Sequence, residues 1–234
     1  MTPTARRHLA IGDVHGCAAA LDALLALVAP RPGDVVIPLG DLVDRGPDTR
    51  GVLDRLIRFE ADFPEVELVP LRGNHEIMMC EARDGFDQRR RWLECGGDAT
   101  LGSYAPLEPG RSLAPVPAEH WAFLDERLVP FFESDDSLFV HANLYPDLPL
   151  TEQPDFMLYW EFFPEAPPPH VSGKRMICGH TRQRSGLPRV MPSAVCIDTG
   201  ACKGGWLTCL CTETGEVWQA DGAGRTRTMW LDEI

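Results

Sequence analysis

No stretch of the 234-residue chain approaches the ~18 consecutive apolar residues that a membrane-spanning helix needs. The opening residues, Met1-Thr2-Pro3-Thr4-Ala5-Arg6-Arg7, lead straight into a strand-like segment. They carry neither the apolar centre nor the small-residue cleavage site of a secretory signal. These two absences give the expectation of a cytoplasmic protein with no membrane partner. Basic residues are scarce: 22 Lys and Arg stand against 35 Asp and Glu, a formal net charge of -13. That deficit excludes a general nucleic-acid binder, which must neutralise phosphates with a basic face. Bound divalent metals would cancel part of the charge locally. None of the eight cysteines (Cys17, Cys80, Cys95, Cys178, Cys196, Cys202, Cys209, Cys211) forms a Cys-x-x-Cys pair, and most lie among apolar residues. Reduced, buried thiols are expected rather than disulfides or a cysteine zinc site. With 44% hydrophobic and 24% charged residues, a globular fold follows and global disorder does not.

The first half alternates strand and helix patterns. His8 to Ile11 reads as a short buried strand ending at Gly12-Asp13. Cys17 to Val28 places Leu21, Leu24, Leu25 and Val28 on one helical face. Asp34 to Leu39 is a second strand, Thr49 to Glu60 a second helix, and Glu65 to Leu71 a third strand. This β-α-β-α-β order predicts parallel strands with right-handed crossovers, and ligands at the carboxyl ends of the strands. From Glu76 to Arg127 the pattern is helical, interrupted at Gly96-Gly97, Gly102 and the proline-rich run Pro106 to Pro117. Strand patterns return at Leu138–Val140, Met176–Cys178, Ala194–Ile197, Trp206–Cys211 and Glu216–Ala220, with a loop over Glu165 to His170. Neither a repeat nor a linker is visible, so residues 1–234 are read as one domain with two packed sheets.

Five short segments carry chemistry: Gly12 to Gly16, Gly40 to Gly46, Gly73 to Glu76, Val140 to Ala142 and Cys178 to Thr181. Each follows an apolar strand and offers Asp, His or Asn. Asp13 and His15 stand two apart, so one strand-to-loop turn can aim both at a single ion. Mixed carboxylate and imidazole donors suit Mn, Fe or Zn, whereas all-oxygen sets suit Mg or Ca. Donors arriving from five strand ends point to two ions in one cleft. A lone His8 or His120 is read as structural, and Cys17 as the head of a helix rather than a nucleophile.

In this order the segments resemble the metallophosphoesterase superfamily. Gly40 to Gly46, with Asp44 and Arg45, and Gly73 to Glu76 are similar to the serine/threonine phosphoprotein phosphatases. Trp92 to Gly97 and Ile197 to Ala201 are similar to the compact bacterial and phage branch of that family. The resemblance implies an α/β fold with two central mixed β-sheets packed face to face and flanked by helices, the calcineurin-like sandwich. It implies Asp13 and His15 on a first ion, Asp41 bridging, and Asn74, His141 and His180 on a second, with manganese the leading candidate metal. His75 would be the general acid, oriented and kept protonated by Asp44. Arg45 and Arg72 would grip the phosphate. The implied reaction is hydrolysis of phosphoserine or phosphothreonine in proteins by direct attack of a hydroxide formed between the ions.

The substrate could then be a phosphoprotein or a phosphorylated small molecule. The rival within the superfamily is a dinucleoside-polyphosphate (diadenosine tetraphosphate) hydrolase, in which Ala stands at the position of Asp44 and Asp at that of Glu76. A non-catalytic binding module is a further alternative, disfavoured by the intact donor set. One departure stands out. Relatives place an arginine shortly after a tryptophan between the two late histidines, where this chain has Tyr159-Trp160-Glu161-Phe162. Phe162 takes the arginine's place, and Arg182, two residues after His180, is the expected substitute. Lys174 and Arg175 are expected to point away.

Overall fold

The computed structural model describes residues 6–105 and 112–234. Its strands are β1 (His8–Ile11), β2 (Val35–Pro38), β3 (Glu67–Leu68), β4 (Phe131–Glu133), β5 (Ser137–Val140), β6 (Arg175–Cys178), β7 (Arg189–Val190), β8 (Ala194–Cys196), β9 (Leu207–Cys211), β10 (Glu216–Ala220) and β11 (Thr226–Trp230). Six form one sheet in the order β11-β10-β9-β1-β2-β3, and five form a second in the order β4-β5-β6-β8-β7. Both sheets are mixed. β1, β2 and β3 run parallel, as do β5, β6 and β8; an antiparallel strand adjoins the first trio at β1, and antiparallel strands adjoin the second at both ends.

The sheets pack face to face because each strand presents one apolar row inward. Ala10, Ile37 and Leu210 from the first sheet meet Phe139, Ile177 and Val195 from the second in one buried cluster. β1 and β2 are buried on both faces, which is why they read as unbroken apolar runs. The outer face of the first sheet is covered by α1 (Ala18–Val28), whose Leu21, Leu24, Leu25 and Val28 are buried as the helical spacing predicts. Next comes α2 (Thr49–Ile57), capped by Asp48, whose carboxylate accepts from the Gly51 N–H at 2.8 Å. A single turn, α3 (Phe59–Asp62), follows as a separate piece of what the sequence reads as one helix. Then come α4 (Asn74–Glu81), α5 (Phe86–Trp92), α6 (Asp98–Tyr104) and α7 (Ala118–Ala122). The last, α8 (Asp155–Tyr159), belongs to the outer face of the second sheet, whose cluster includes Leu158, Tyr159 and Phe163.

The sequence reading departs from this in several places. Of Glu65 to Leu71, regular pairing covers only Glu67–Leu68: Glu65 is a turn residue with φ 70°, and past Leu68 the N–H groups of Val69 and Leu71 still donate to the Val36 and Pro38 carbonyls while Leu71 also bridges Val129. Gly102 interrupts nothing and lies inside α6. β4, β7 and β11 carry no strand signal in the sequence, the first two because they are three and two residues long, the third because it is an edge strand of mixed exposure. Of the proline-rich run, residues 106–111 lie outside the described residues. All eight cysteines are free, as expected, but Cys95 is exposed and Cys80 and Cys202 are half-buried. No helix among the described residues is long and apolar enough to cross a membrane.

Candidate active site

The parallel strands deliver their following loops to one end of the sandwich. Asp13 and His15 follow β1; Asp41, Asp44 and Arg45 follow β2; Asn74 and His75 open α4; His141 follows β5; His180 follows β6. Turning back so quickly costs backbone strain. His15, Asp41, Asp44, Arg45 and His180 all have positive φ, between 44° and 71°. Each such residue costs on the order of 1–3 kcal/mol and persists only where its surroundings enforce it.

One side chain does much of the enforcing. Glu76 is buried, and its carboxylate accepts from the N–H groups of Asp41 (2.9 Å), Leu42 (2.7 Å), Val43 (3.1 Å) and Gly73 (2.8 Å). It thereby fixes the loop after β2 against the start of α4. Glu76→Ala would leave four buried donors without an acceptor, at about 1–3 kcal/mol for each that water cannot reach. The expected loss in chemical denaturation is at least about 3 kcal/mol, with Glu76→Gln losing less. A loss under about 1 kcal/mol for Glu76→Ala would contradict this account of the loop.

Two groups of donors share Asp41: His15 with Asp41 and His75, and Asp41 with His141 and His180. In each, the ligand atoms lie within 4.8 Å of one another. Asp41 Oδ2 stands 3.4 Å from His15 Nε2, and Asp41 Oδ1 stands 3.4 Å from His141 Nε2, so one carboxylate faces both donor groups. The rings are oriented from behind. His15 Nδ1 donates to the Val43 carbonyl at 2.9 Å and His141 Nδ1 to that of Leu39 at 2.8 Å, while His180 Nε2 donates to Trp160 O at 3.2 Å. In a neutral ring the other nitrogen then carries a lone pair into the cleft. His141 Nε2 and His180 Nδ1 both face Asn74 Oδ1, at 3.1 and 3.2 Å. Three acceptors converging on one point repel one another, and a cation relieves them. Burial pushes the pKa values of His15, His141 and His180 down, which keeps them neutral and fit for ligation.

Asp13 lies beside these groups rather than within either; both of its oxygens accept from the His180 N–H, at 3.0 and 3.1 Å. Gly179 makes that approach possible, because a Cβ there would stand 2.1 Å from Asp13 Oδ1. Burial, with Asp198 and Asp41 adding repulsion, pushes Asp13 well up; burial and Glu76 do the same to Asp41. Asp198, visible in the sequence only as part of the Ile197 to Ala201 motif, also belongs to the site. It follows β8, is buried, and offers another acid to the same cleft. The donor set therefore fits divalent cations: neutral imidazoles, an amide oxygen and acids that are costly to ionise alone.

A pH prediction follows. A native pKa above the unfolded value of about 3.9 means that the folded chain holds more protons than the unfolded one above pH ~4. Metal-free stability contributed by Asp13 and Asp41 therefore falls as pH rises through that window. An ion must displace those protons, so its stabilisation grows with pH. The rise in Tm on adding manganese is expected to be larger at pH 8 than at pH 5.5 in thermal melts. An equal or larger rise at pH 5.5 would contradict it.

His75 is placed differently from the other rings. Its Nδ1 meets Asp44 Oδ2 at 2.7 Å, and its buried Nε2 has no hydrogen-bond partner among the described residues. Asp44 is fully buried and also receives Trp92 Nε1, at 2.9 Å to each oxygen, and Thr100 Oγ1 at 2.8 Å. Trp92 and Thr100 thus orient the acid; the tryptophan motif hinted at the first, and nothing in the sequence flagged the second. The expectation that Asp44 simply keeps the ring protonated needs correcting. Burial, with Arg45 and His180, pushes His75 down to about 3, while burial pushes Asp44 up to about 7 against its hydrogen bonds. The pair therefore takes up its extra proton as a unit. Whether that proton sits on the carboxyl or on Nδ1, Nε2 carries N–H.

Among the predicted anion-binding residues, Arg45 and Arg182 line a cavity of about 270 Å³ with His15, His180, Asp198 and Lys203. Arg45 Nη1 donates to His15 Nε2 at 2.7 Å. Arg72 is not in that lining; its Nη2 donates to the carbonyls of Leu124 and Asp125 at 3.3 and 3.4 Å. Phe162 is 66% exposed and stacks on His180 with ring centroids 5.5 Å apart, so it stands on the rim where an arginine was sought. Lys174 binds Glu133 and Arg175 binds Met191 O, both outside the cleft lining. Cys17 is buried and its thiol is pushed up to about 12, a neutral group with no nucleophilic character. His8 and His120 bind Glu213 and Asp54, respectively, as structural histidines do.

The family profile of the calcineurin-like phosphoesterases matches residues 6–181, three quarters of the chain. The chain belongs to that family, and its two packed mixed sheets agree with that membership. It is 40% identical over 94 residues to serine/threonine-protein phosphatase 1 of Salmonella typhimurium, covering 39% of this chain and 40% of that one. It is 34% identical over 137 residues to the symmetrical bis(5'-nucleosyl)-tetraphosphatase of Paracidovorax citrulli, covering 58% of this chain and 44% of that one. These matches span less than half of either relative's length. In three dimensions it is similar to the cold-active protein-tyrosine phosphatase of a psychrophilic Shewanella, at 18% identity and a TM-score of 0.62. That alignment covers 95% of this chain and 80% of the other, and it shows the fold alone.

Proposed function

We propose that the chain is a metal-dependent phosphomonoesterase acting on phosphoserine or phosphothreonine in proteins. The observation that carries this reading is the His75–Asp44 pair with its unshared Nε2 in the cleft. An alkoxide leaving from a serine or threonine ester is strongly basic and must be protonated as it departs. A phosphate leaving from a polyphosphate chain is a weak base and needs no such donor. A buried acid built from four residues, His75, Asp44, Trp92 and Thr100, fits the first chemistry.

Two divalent ions held by Asp41 with His15, Asp13, Asn74, His141 and His180 would supply Lewis acidity and ionised water at neutral pH. The chain's own residues do the rest. Asp41 aligns the two donor groups through one carboxylate. Arg45 offers its guanidinium fork to phosphate oxygens as charge builds on them. His75 Nε2–H protonates the departing oxygen while the His75–Asp44 pair holds its extra proton, and Asp44, bonded at Nδ1, aims the ring.

The test is a substrate panel with added manganese: p-nitrophenyl phosphate, a phosphoserine peptide and diadenosine tetraphosphate. The phosphopeptide is expected to have a kcat/KM at least tenfold above that of diadenosine tetraphosphate. The reverse order would overturn the protein-phosphatase reading in favour of the nucleotide one. No hydrolysis of any of the three would return the chain to a binding role.

A further inference from the structure

The cavity at the metal donors does not end there. It shares Arg182, Gly200 and Lys203 with a second, open cavity of about 390 Å³, which continues past Arg184 to Trp206. The lining of this second cavity contains Arg182, Arg184 and Lys203 and no acid. None of those three side chains makes an ion pair or side-chain hydrogen bond with any described residue, in a chain with 35 acidic residues against 22 basic ones. Elsewhere Arg7, Arg55, Arg83 and Arg127 each take a carboxylate partner. Arg31, Arg58 and Arg91 also make no ion pair among the described residues, so what sets Arg182, Arg184 and Lys203 apart is that all three line one cavity whose lining holds no acid.

The direction of Arg182 is set by Gly200, which has φ 76° and over which the arginine lies. A Cβ at Gly200 would stand 2.9 Å from Arg182 Cδ. Lys203 sits on the 3-10 turn Ala201–Lys203 that directly follows Gly200, so both cations reach the space shared by the two cavities. Beyond them the wall is Trp206, with the Arg225 and Arg227 guanidinium carbons 5.5 and 4.4 Å from its ring. Of these two, Arg225 is ion-paired to Asp221, so Arg227 alone extends the positive charge past Trp206.

We propose that Arg182, Arg184 and Lys203 form a second anion subsite that receives another phosphoryl group of the same substrate. Three unpaired cations around an open cavity suit a dianion better than a single carboxylate, and two are guanidinium forks that match phosphoryl oxygens. The inference rests on the phosphomonoesterase reading and narrows its substrate to esters carrying a second phosphoryl group close to the scissile one. Such a group would come from a neighbouring phosphoserine on a peptide or from the chain of a polyphosphate.

The experiment has two readouts on the full chain. The first is calorimetric titration of inorganic tripolyphosphate into metal-stripped protein, for the parent and for Arg184→Ser with Lys203→Ser. The double variant is expected to bind at least tenfold more weakly, and the parent's affinity is expected to fall with added salt. The second readout is kcat/KM with manganese for a peptide carrying two phosphoserines, relative to the singly phosphorylated peptide. The parent is expected to prefer the doubly phosphorylated peptide at least tenfold, and the double variant to lose most of that preference. If a preference that the variant loses is found only for diadenosine tetraphosphate over p-nitrophenyl phosphate, the subsite stands and its ligand is a polyphosphate chain. Equal tripolyphosphate affinity in parent and variant overturns the subsite, whatever the catalytic result. Absence of hydrolysis with every substrate, p-nitrophenyl phosphate included, overturns the phosphomonoesterase reading and leaves the calorimetry to decide the subsite.

Discussion

Asp41→Asn is expected to reduce kcat by at least about 10³-fold, more than any other single change at the site. Removing one well-placed donor to transition-state charge costs about 10²–10³-fold in other enzymes, and Asp41 serves two donor groups at once. Its oxygens stand 3.4 Å from both His15 Nε2 and His141 Nε2. Asparagine keeps the shape and one carbonyl oxygen, so the hydrogen bond that Oδ1 accepts from the His75 N–H, at 3.1 Å, can survive. It removes the negative charge that balances two cations. Metal analysis should therefore show less than two ions per chain in the variant, with thermal stability of the metal-free form unchanged or raised, because a buried, costly acid has gone. Near-parent turnover, or a parent-like metal content, would show that Asp41 does not bridge.

The two-sheet fold was legible in the sequence, and so was the convergence of the donor residues at one end of it. Asp13, His15, Asp41, Asn74, His141 and His180 could be picked out because each ends an apolar strand, and parallel strands must bring their carboxyl ends together. The resemblance then added roles that spacing alone could not supply, such as a bridging carboxylate. What remained hidden is of two kinds. Some of it depends on long-range packing: Thr100 reaches Asp44 from α6, and Glu76 reaches back to four N–H groups, although locally it looks like an ordinary first-turn acid. The rest is backbone conformation. Five site residues other than glycine have positive φ, and no residue type announces that.

Short strands escaped for a related reason. β4 and β7 have three and two residues, too few for a period to show, and pairing with longer neighbours defines them. The basic track through Arg182, Arg184 and Lys203 was hidden by the opposite cause, a strong average. A net charge of -13 describes the whole surface and says nothing of where the cations collect. Arg182 was singled out as a replacement for the arginine missing at Phe162. It reaches the cleft lining, while Phe162 covers His180 with a ring rather than a charge.

His75→Asn should separate a general acid from a metal ligand, because the two roles predict different losses. His75 stands within one of the donor groups, with its Nε2 4.0 Å from Asp41 Oδ2. Yet its Nδ1 is engaged by Asp44 at 2.7 Å, through a carboxylate that Trp92 and Thr100 hold in place. If the ring donates a proton, the variant keeps its metal content and loses about 10²–10⁴-fold in kcat. That loss must depend on the leaving group, being greatest for a serine phosphate and smallest for p-nitrophenyl phosphate, whose phenolate departs without help. The pH profile supplies a second check. Burial lifts Asp44 to about 7, so the pair holds its extra proton, and Nε2–H, below that pH and releases it above. The parent's kcat for alkyl phosphates should therefore fall as pH rises beyond about 7, and this limb should vanish in His75→Asn. Asp44→Asn should reproduce part of the effect, since an amide can hold the ring but cannot take up the proton. Loss of bound metal in His75→Asn, or an equal loss of kcat for good and poor leaving groups, would make the ring a ligand and leave protonation of the leaving oxygen to another group.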